Sequence, residues 1–216
     1  MPGTVKSELL SYADRITKCE RQEKGRGCSP LKASWMLNLP LDKGHFITVF
    51  REAEIDDAEE MISYLNIVGG ESDNLMHGSE GFKVPVEAVK RRIQASHDAD
   101  NSIIMIALAG EKIIARAELD GCSGARLHHN ARFSISVRKD YWNMKIGTML
   151  MTKIIECAGK MNLRNIELEV IAENKAAIAL YHKMGFSDVG IFRNYWFANN
   201  VYRDAIIMQK CLEGSI

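Results

Sequence analysis

Between Ala131 and Leu150 the spacing of apolar residues changes once, and the change marks a strand, a turn and a helix. Phe133, Ile135 and Val137 alternate with Arg132, Ser134 and Ser136, so an extended segment here has one apolar face. From Ile146 the spacing is helical. Ile146, Leu150, Ile154 and Ala158 recur every fourth residue, with Gly147, Met151 and Ile155 beside them. A strand that feeds a helix through a short turn leaves backbone N–H groups unpaired at the helix start. Those donors, and the positive end of the helix dipole, attract phosphate.

The same patterns divide the rest of the chain. Phe46 to Arg51 reads as a strand. Asp56 and Glu59 have the spacing of a capping box, and Ala58, Met61, Ile62, Leu65 and Val68 form a helical stripe that should stop at Gly69-Gly70. The polar stretch 71–81 is a long loop, the kind that often carries function. Pro85 opens a second helix with Val86, Val89 and Ile93 on one side. Ile103 to Ala109 is a buried strand, Gly110-Glu-Lys a hairpin turn, and Ile113 to Leu119 the returning strand. After the helix from Ile146 come a strand at 165–171, a helix from Asn174 to Met184 stopped by Gly185, and two strands near 186–196 and 202–210. The order β α α β β β α β α β β requires a mixed sheet of about seven strands with helices on both faces, an α+β fold. Residues 1–45 read as an N-terminal extension. Leu9, Leu10, Ala13 and Ile16 suit a short helix, 18–30 a charged linker, and Trp35, Met36, Leu37 and Leu39 need a surface to pack on. Residues 46–216 form the domain.

Composition narrows the function classes. The chain of 216 residues is 46% apolar and 26% charged, with a formal net charge of zero. Nothing in that balance points to nucleic acid or a membrane surface, and it leaves association of two copies open. Five scattered cysteines form no CxxC pair and no zinc spacing, so free thiols in a reducing cytoplasm are expected, with no metal. No apolar run approaches the ~20 residues of a membrane span, and the first residues lack the apolar stretch of a signal peptide.

Two motifs carry a resemblance. Asn174-Lys-Ala-Ala-Ile-Ala-Leu-Tyr-His-Lys-Met-Gly-Phe186 resembles the pattern Asn-x-x-Ala-x-x-Leu-Tyr-x-Lys-x-Gly-Phe of the Gcn5-related N-acetyltransferase (GNAT) superfamily. The phosphate motif of that family, Arg/Gln-x-x-Gly-x-Gly/Ala, aligns with Trp142, Asn143, Met144, Lys145, Ile146 and Gly147, of which only Gly147 matches. Backbone N–H groups can hold phosphate whatever the side chain. A negative φ at Lys145 would let its side chain point away or add a cation near the phosphates; a positive one would strain the turn and lower cofactor affinity. The resemblance covers most of the chain from Phe46. It implies acetyl-CoA as cosubstrate, with its pyrophosphate on the turn 142–148, Thr148 included, and its pantetheine arm on Ile135, Ser136 and Val137, where a bulge splays the strand from its neighbour. Asn174, Ala177 and Lys183 would complete the cofactor side, and one strand N–H would stabilise the oxyanion. Tyr181 would be the general acid for the departing thiolate.

The base is less plainly marked. Many family members place a Glu where this chain has Ala131. Glu71, in the acidic loop, is the first choice; Glu118, His128, His129 and a water chain are substitutes, while Glu167 and Glu169 read as structural. Glu71, Asp73, Tyr195, Tyr202 and Asp204 could receive a cationic amine. The implied activity is direct N-acetylation of a small-molecule or protein amine. The alternatives are a non-catalytic acyl-CoA-binding scaffold and a protein N-terminal or lysine acetyltransferase.

Overall fold

A computed structural model describes residues 35–41, 44–78 and 80–212. The helix and linker expected before residue 31 lie outside the described residues. The chain runs β1 (Trp35–Leu41), β2 (Gly44–Glu52), α1 (Ala58–Glu71), α2 (Val86–Asp98), β3 (Ile103–Ala109), β4 (Lys112–Gly121), β5 (Asn130–Val137), α3 (Ile146–Lys160), β6 (Asn165–Ile171), α4 (Lys175–Lys183), β7 (Ser187–Ala198) and β8 (Val201–Cys211). All eight strands join one sheet in the order β1-β2-β3-β4-β5-β6-β8-β7. Only β5 and β6 pair in parallel, and α3 is the crossover between them. The α+β class holds. The sheet has eight strands rather than seven, because Trp35–Leu41 pairs along the whole of β2 as an added edge.

The alternating strands place one apolar set on each face. Met105, Ala117, Leu119 and Phe133 meet Leu150, Ile154 and Cys157 of α3 and Tyr181 of α4. Ile104, Ile106 and Ile113 meet Met61, Tyr64 and Leu65 of α1 and Val89 and Ile93 of α2.

Two expectations at α1 need correction. The capping box is made not by Asp56 and Glu59 but by Glu54 and Asp57, and it closes the 3-10 turn Ile55–Asp57 that leads into α1. The Asp57 carboxylate accepts from the Glu54 N–H at 2.7 Å and pairs with Arg51, while Asp57 as the N-cap of α1 makes no side-chain bond to that helix. And α1 does not stop at Gly69-Gly70; it runs on to Glu71. Gly69 is there for close approach, since a Cβ on it would stand 2.9 Å from the Gly78 carbonyl oxygen and from His77. Gly185 does end α4, at φ +84°, with the Phe186 N–H reaching back to the Tyr181 carbonyl.

Candidate active site

The site begins where two strands part. β5 pairs with β4 along Ala131–Val137 without interruption, but with β6 only at Asn130, Ala131 and Arg132. Beyond Arg132 the two strands diverge and leave a fork. The expected bulge in β5 is absent, since its register against β4 never shifts; the opening comes from early separation of the parallel pair.

Backbone alternation decides what lines the fork. Arg138 N–H donates to Ile114 O, and Asn130 O accepts from Cys122 N–H, so even-numbered residues of β5 bond to β4. Phe133, Ile135 and Val137 therefore turn their backbone groups toward the gap. The Val137 carbonyl is already used, because the Trp142 indole N–H donates to it at 2.8 Å. Trp142, standing where the family motif has Arg or Gln, thus pins the turn to the strand end.

The turn itself is strained. Asn143 has φ +63° and Lys145 φ +64°. Asn tolerates this left-handed region; for Lys it costs ~1–2 kcal/mol. Lys145 is the N-cap of α3, and its side chain makes no capping bond. The Met149 N–H is the first to find an intrahelical partner, the Lys145 carbonyl at 3.0 Å. The N–H groups of Ile146, Gly147 and Thr148 are the orphan donors of this helix start. Ile146 is buried, so only its backbone can serve a ligand, and Met144 packs on the core. A Cβ on Gly147 would meet Leu180, Val137 and Ile135 at 3.7–3.8 Å. The turn, β5 and α4 thus converge on one point.

Across the fork, Asn174 caps α4 by accepting the Ala177 N–H at 3.2 Å. Tyr181 is 7% exposed and tilts against Phe186. Burial alone pushes its phenol up to about 12, and its hydroxyl has no hydrogen-bond partner among the described residues. A protonated hydroxyl without a protein partner, at the tip of an otherwise buried ring, is equipped to donate. Lys183 closes α4 and is exposed.

The opposite face of the sheet is organised by side chains. Glu71, the last residue of α1, accepts the Lys139 N–H at 2.7 Å and lies 3.7 Å from the Arg138 guanidinium. Tyr64, fully buried on the same helix, donates to the Ser136 carbonyl at 2.8 Å and accepts from the Ser136 hydroxyl at 2.8 Å. Burial raises the Tyr64 phenol above its ordinary value. Nothing in the sequence reading singled out Tyr64; its signal was a polar tip inside the apolar stripe of α1. Glu118 is ion-paired with Arg92 and Arg116. Asp204 accepts from Arg193 and from the Asn194 N–H, and Asp73 is bonded to the β7–β8 hairpin. Neither is a spare carboxylate for a cation. His128 and His129 enter β5 at the far end, roughly 20 Å of strand from Ser136. Glu169 is exposed on β6 just past its last pairing with β5, and has no side-chain partner among the described residues. Ala131 is buried, in the place where many family members carry a Glu. Cys157 is buried in the core and its thiol pushed up by burial, which disqualifies it as a nucleophile. No group of three or more metal-binding side chains occurs among the described residues.

The chain is similar to known proteins. A model of the acetyltransferase (GNAT) family matches residues 73–186, more than half of the chain. The chain is 41% identical over 76 residues to the [ribosomal protein bS18]-alanine N-acetyltransferase of Escherichia coli, covering 35% of this chain and 51% of that one. It is 30% identical over 107 residues to the L-amino acid N-acetyltransferase AaaT of the same organism, covering 49% and 66%. The chain thus spans about half to two thirds of the curated relatives it matches. Among solved structures, a GNAT-family acetyltransferase from Streptococcus pneumoniae superposes with a TM-score of 0.74 at 28% identity, over 77% of this chain and 99% of that one. A Salmonella typhimurium structure, yncA with acetyl-CoA, superposes at 0.69 with 15% identity, over 78% and 95%.

Proposed function

Because the chain belongs to the acetyltransferase (GNAT) family, we propose that it transfers an acetyl group from acetyl-CoA to a primary amine by direct attack. The fork carries this reading: at the uncapped start of α3, Gly147 faces Ile135 and Val137 of β5 and Leu180 of α4, the helix that bears Tyr181. The relatives named above act on amines, and the Salmonella structure holds acetyl-CoA.

The residues divide the work. N–H groups of Ile146, Gly147 and Thr148 bind the pyrophosphate, and Lys145, at φ +64°, is the strained residue of that turn rather than a cation set on the phosphates. Ile135 and Val137 pair with the pantetheine, and a β5 N–H holds the oxyanion as the amine nitrogen bonds to the acetyl carbon. Asn174 and Ala177 flank that arm, and Lys183 stands at its outer end. Glu71 takes the proton that the ammonium must lose, directly or through water. Tyr181 gives its proton to the departing thiolate. No step uses a metal or an acyl-enzyme. The three described cysteines are free, which suits a reducing cytoplasm, and no described helix is long and apolar enough to cross a membrane.

Calorimetry with acetyl-CoA, followed by thiol release with an amine panel, tests the reading. Micromolar binding with turnover is expected. No binding at near-millimolar acetyl-CoA would sink it, and binding without turnover on any amine would leave an acyl-CoA-binding scaffold.

A further inference from the structure

Ser136 lies between the two residues whose backbone groups face the gap, and its side chain points away from theirs. A Cβ on Gly147 would meet the side chains of Ile135 and Val137, so both lie on the α3 and α4 side of β5. The Ser136 side chain lies on the other side, against α1, where its hydroxyl meets Tyr64. Tyr64 is fully buried, whereas Ser136 is half-buried. Counting protons fixes how the two hydroxyls are oriented. Tyr64 has one proton and gives it to the Ser136 carbonyl at 2.8 Å. The two hydroxyl oxygens also stand 2.8 Å apart, so the proton between them is that of Ser136. Ser136 Oγ is left with lone pairs and no proton to give, and those lone pairs have no other partner among the described residues.

We propose that Ser136 Oγ accepts one N–H of the attacking nitrogen, and that this fixed acceptor makes the protein select primary over secondary amines. The selection rests on the acetyl-transfer reading, in which the thioester lies along Ile135 and Val137 and the amine arrives from the α1 side. A neutral primary amine that bonds to the acetyl carbon becomes a nitrogen cation with two N–H bonds. Ser136 holds one of them, which aims the nitrogen, and the other proton goes to the base. As the tetrahedral carbon collapses, the C–S bond breaks and its electron pair leaves with the thiolate, which takes the Tyr181 proton. Ser136 itself neither gains nor loses one. A secondary amine reaches the same stage with a single N–H, so it forgoes either the Ser136 bond or the base. A serine free to turn would donate its own proton to the nitrogen lone pair and hold it back from attack. Tyr64 prevents that turn, which makes Tyr64 a positioning residue and Ser136 a catalytic one.

Thiol release at saturating acetyl-CoA, with a primary amine that wild type uses and its N-methyl derivative, tests the selection. In Ser136→Ala the preference for the primary amine should fall by about tenfold, the worth of one hydrogen bond to a charged group, through a lower kcat/KM for the primary amine alone. Ser136→Thr keeps the hydroxyl and should keep most of the preference. Tyr64→Phe should lower the preference as well, and the double variant should lower it no further than Ser136→Ala, because Tyr64 acts through Ser136. Should Tyr64→Phe fail to fold, the two Ser136 variants decide the matter. An unchanged preference in Ser136→Ala, an equal loss on both amines, or single-variant effects that multiply in the double variant overturns the selection. If wild type neither binds acetyl-CoA in calorimetry nor uses any amine, the acetyl-transfer reading fails and the selection with it. Turnover by wild type with an unchanged preference in Ser136→Ala overturns the selection alone.

Discussion

The two faces of the fork are built in different ways. On the face covered by α3 and α4, the proposed ligand contacts come from backbone and from residues close in sequence. Asn174 caps the N–H three residues ahead, and the helix start offers orphan N–H groups whatever its side chains. On the face covered by α1 and the hairpin, side chains meet across long stretches of chain: Tyr64 with Ser136, 72 residues on, and Asp73 with Asn199, 126 residues on. The proposed cofactor side follows from local geometry. The proposed acceptor side depends on the whole fold being right.

The sharpest break in that comparison is Tyr181→Phe. It deletes one atom from the cofactor face and leaves its backbone donors intact. Turnover should fall by about 100-fold, the ordinary contribution of a general acid, with acetyl-CoA affinity unchanged. Because burial holds the phenol protonated up to about pH 12, wild type should show no loss from this group between pH 6 and 9. Unchanged turnover in the variant would remove Tyr181 as the acid.

Glu71→Gln asks the equivalent question of the other face. The amide oxygen can still accept the Lys139 N–H, so the brace survives while the base is lost. A drop of roughly tenfold at pH 7, recovering as pH rises and more amine is neutral, marks a base. A flat response leaves Glu71 as a brace and passes the proton to Glu169, the unpartnered carboxylate on the β6 arm.

This contrast also explains what could be read in advance. The strand at Phe133 to Val137 and the stripe from Ile146 are local, so period and spacing revealed them, and the Asn174 to Phe186 pattern, local too, was legible through its resemblance to a family motif. The fork was expected, but its cause was not: a bulge and a short parallel pairing look the same in sequence. β1 escaped because Trp35 to Leu41 became a strand only by finding β2. Asp73 and Asp204 looked available to a cation, and only the folded hairpin shows them engaged. The conformation at Lys145 was left open because side-chain identity does not fix the sign of φ.

Tyr64→Phe joins the faces, since Tyr64 reaches from α1 to the strand that lines the fork. It leaves the Ser136 hydroxyl without its partner. The cost should be about 1–2 kcal/mol, a fall in melting temperature of roughly 3–6 °C at this size. If β5 is positioned from the acceptor face, acetyl-CoA affinity should weaken as well. Lost stability with full affinity would show that β4 alone holds the strand in place.

Lys145→Gly has the smallest expected effect and the most informative sign. Glycine removes ~1–2 kcal/mol of left-handed strain but returns ~0.5–1 kcal/mol through the greater freedom of the unfolded chain. The net gain is about 0.5–1 kcal/mol, or roughly 1–3 °C in melting temperature. The same change removes a cation beside the proposed pyrophosphate site. An exposed charge there contributes up to ~1 kcal/mol, so a fall in acetyl-CoA affinity of about threefold at low salt, and less at high salt, would show that the ammonium reaches the phosphates despite the positive φ. Stability and affinity moving in opposite directions would mean that this chain tolerates strain at the turn in exchange for a charge on the phosphates. If both rise, the ammonium contributes nothing and the turn works through its backbone alone.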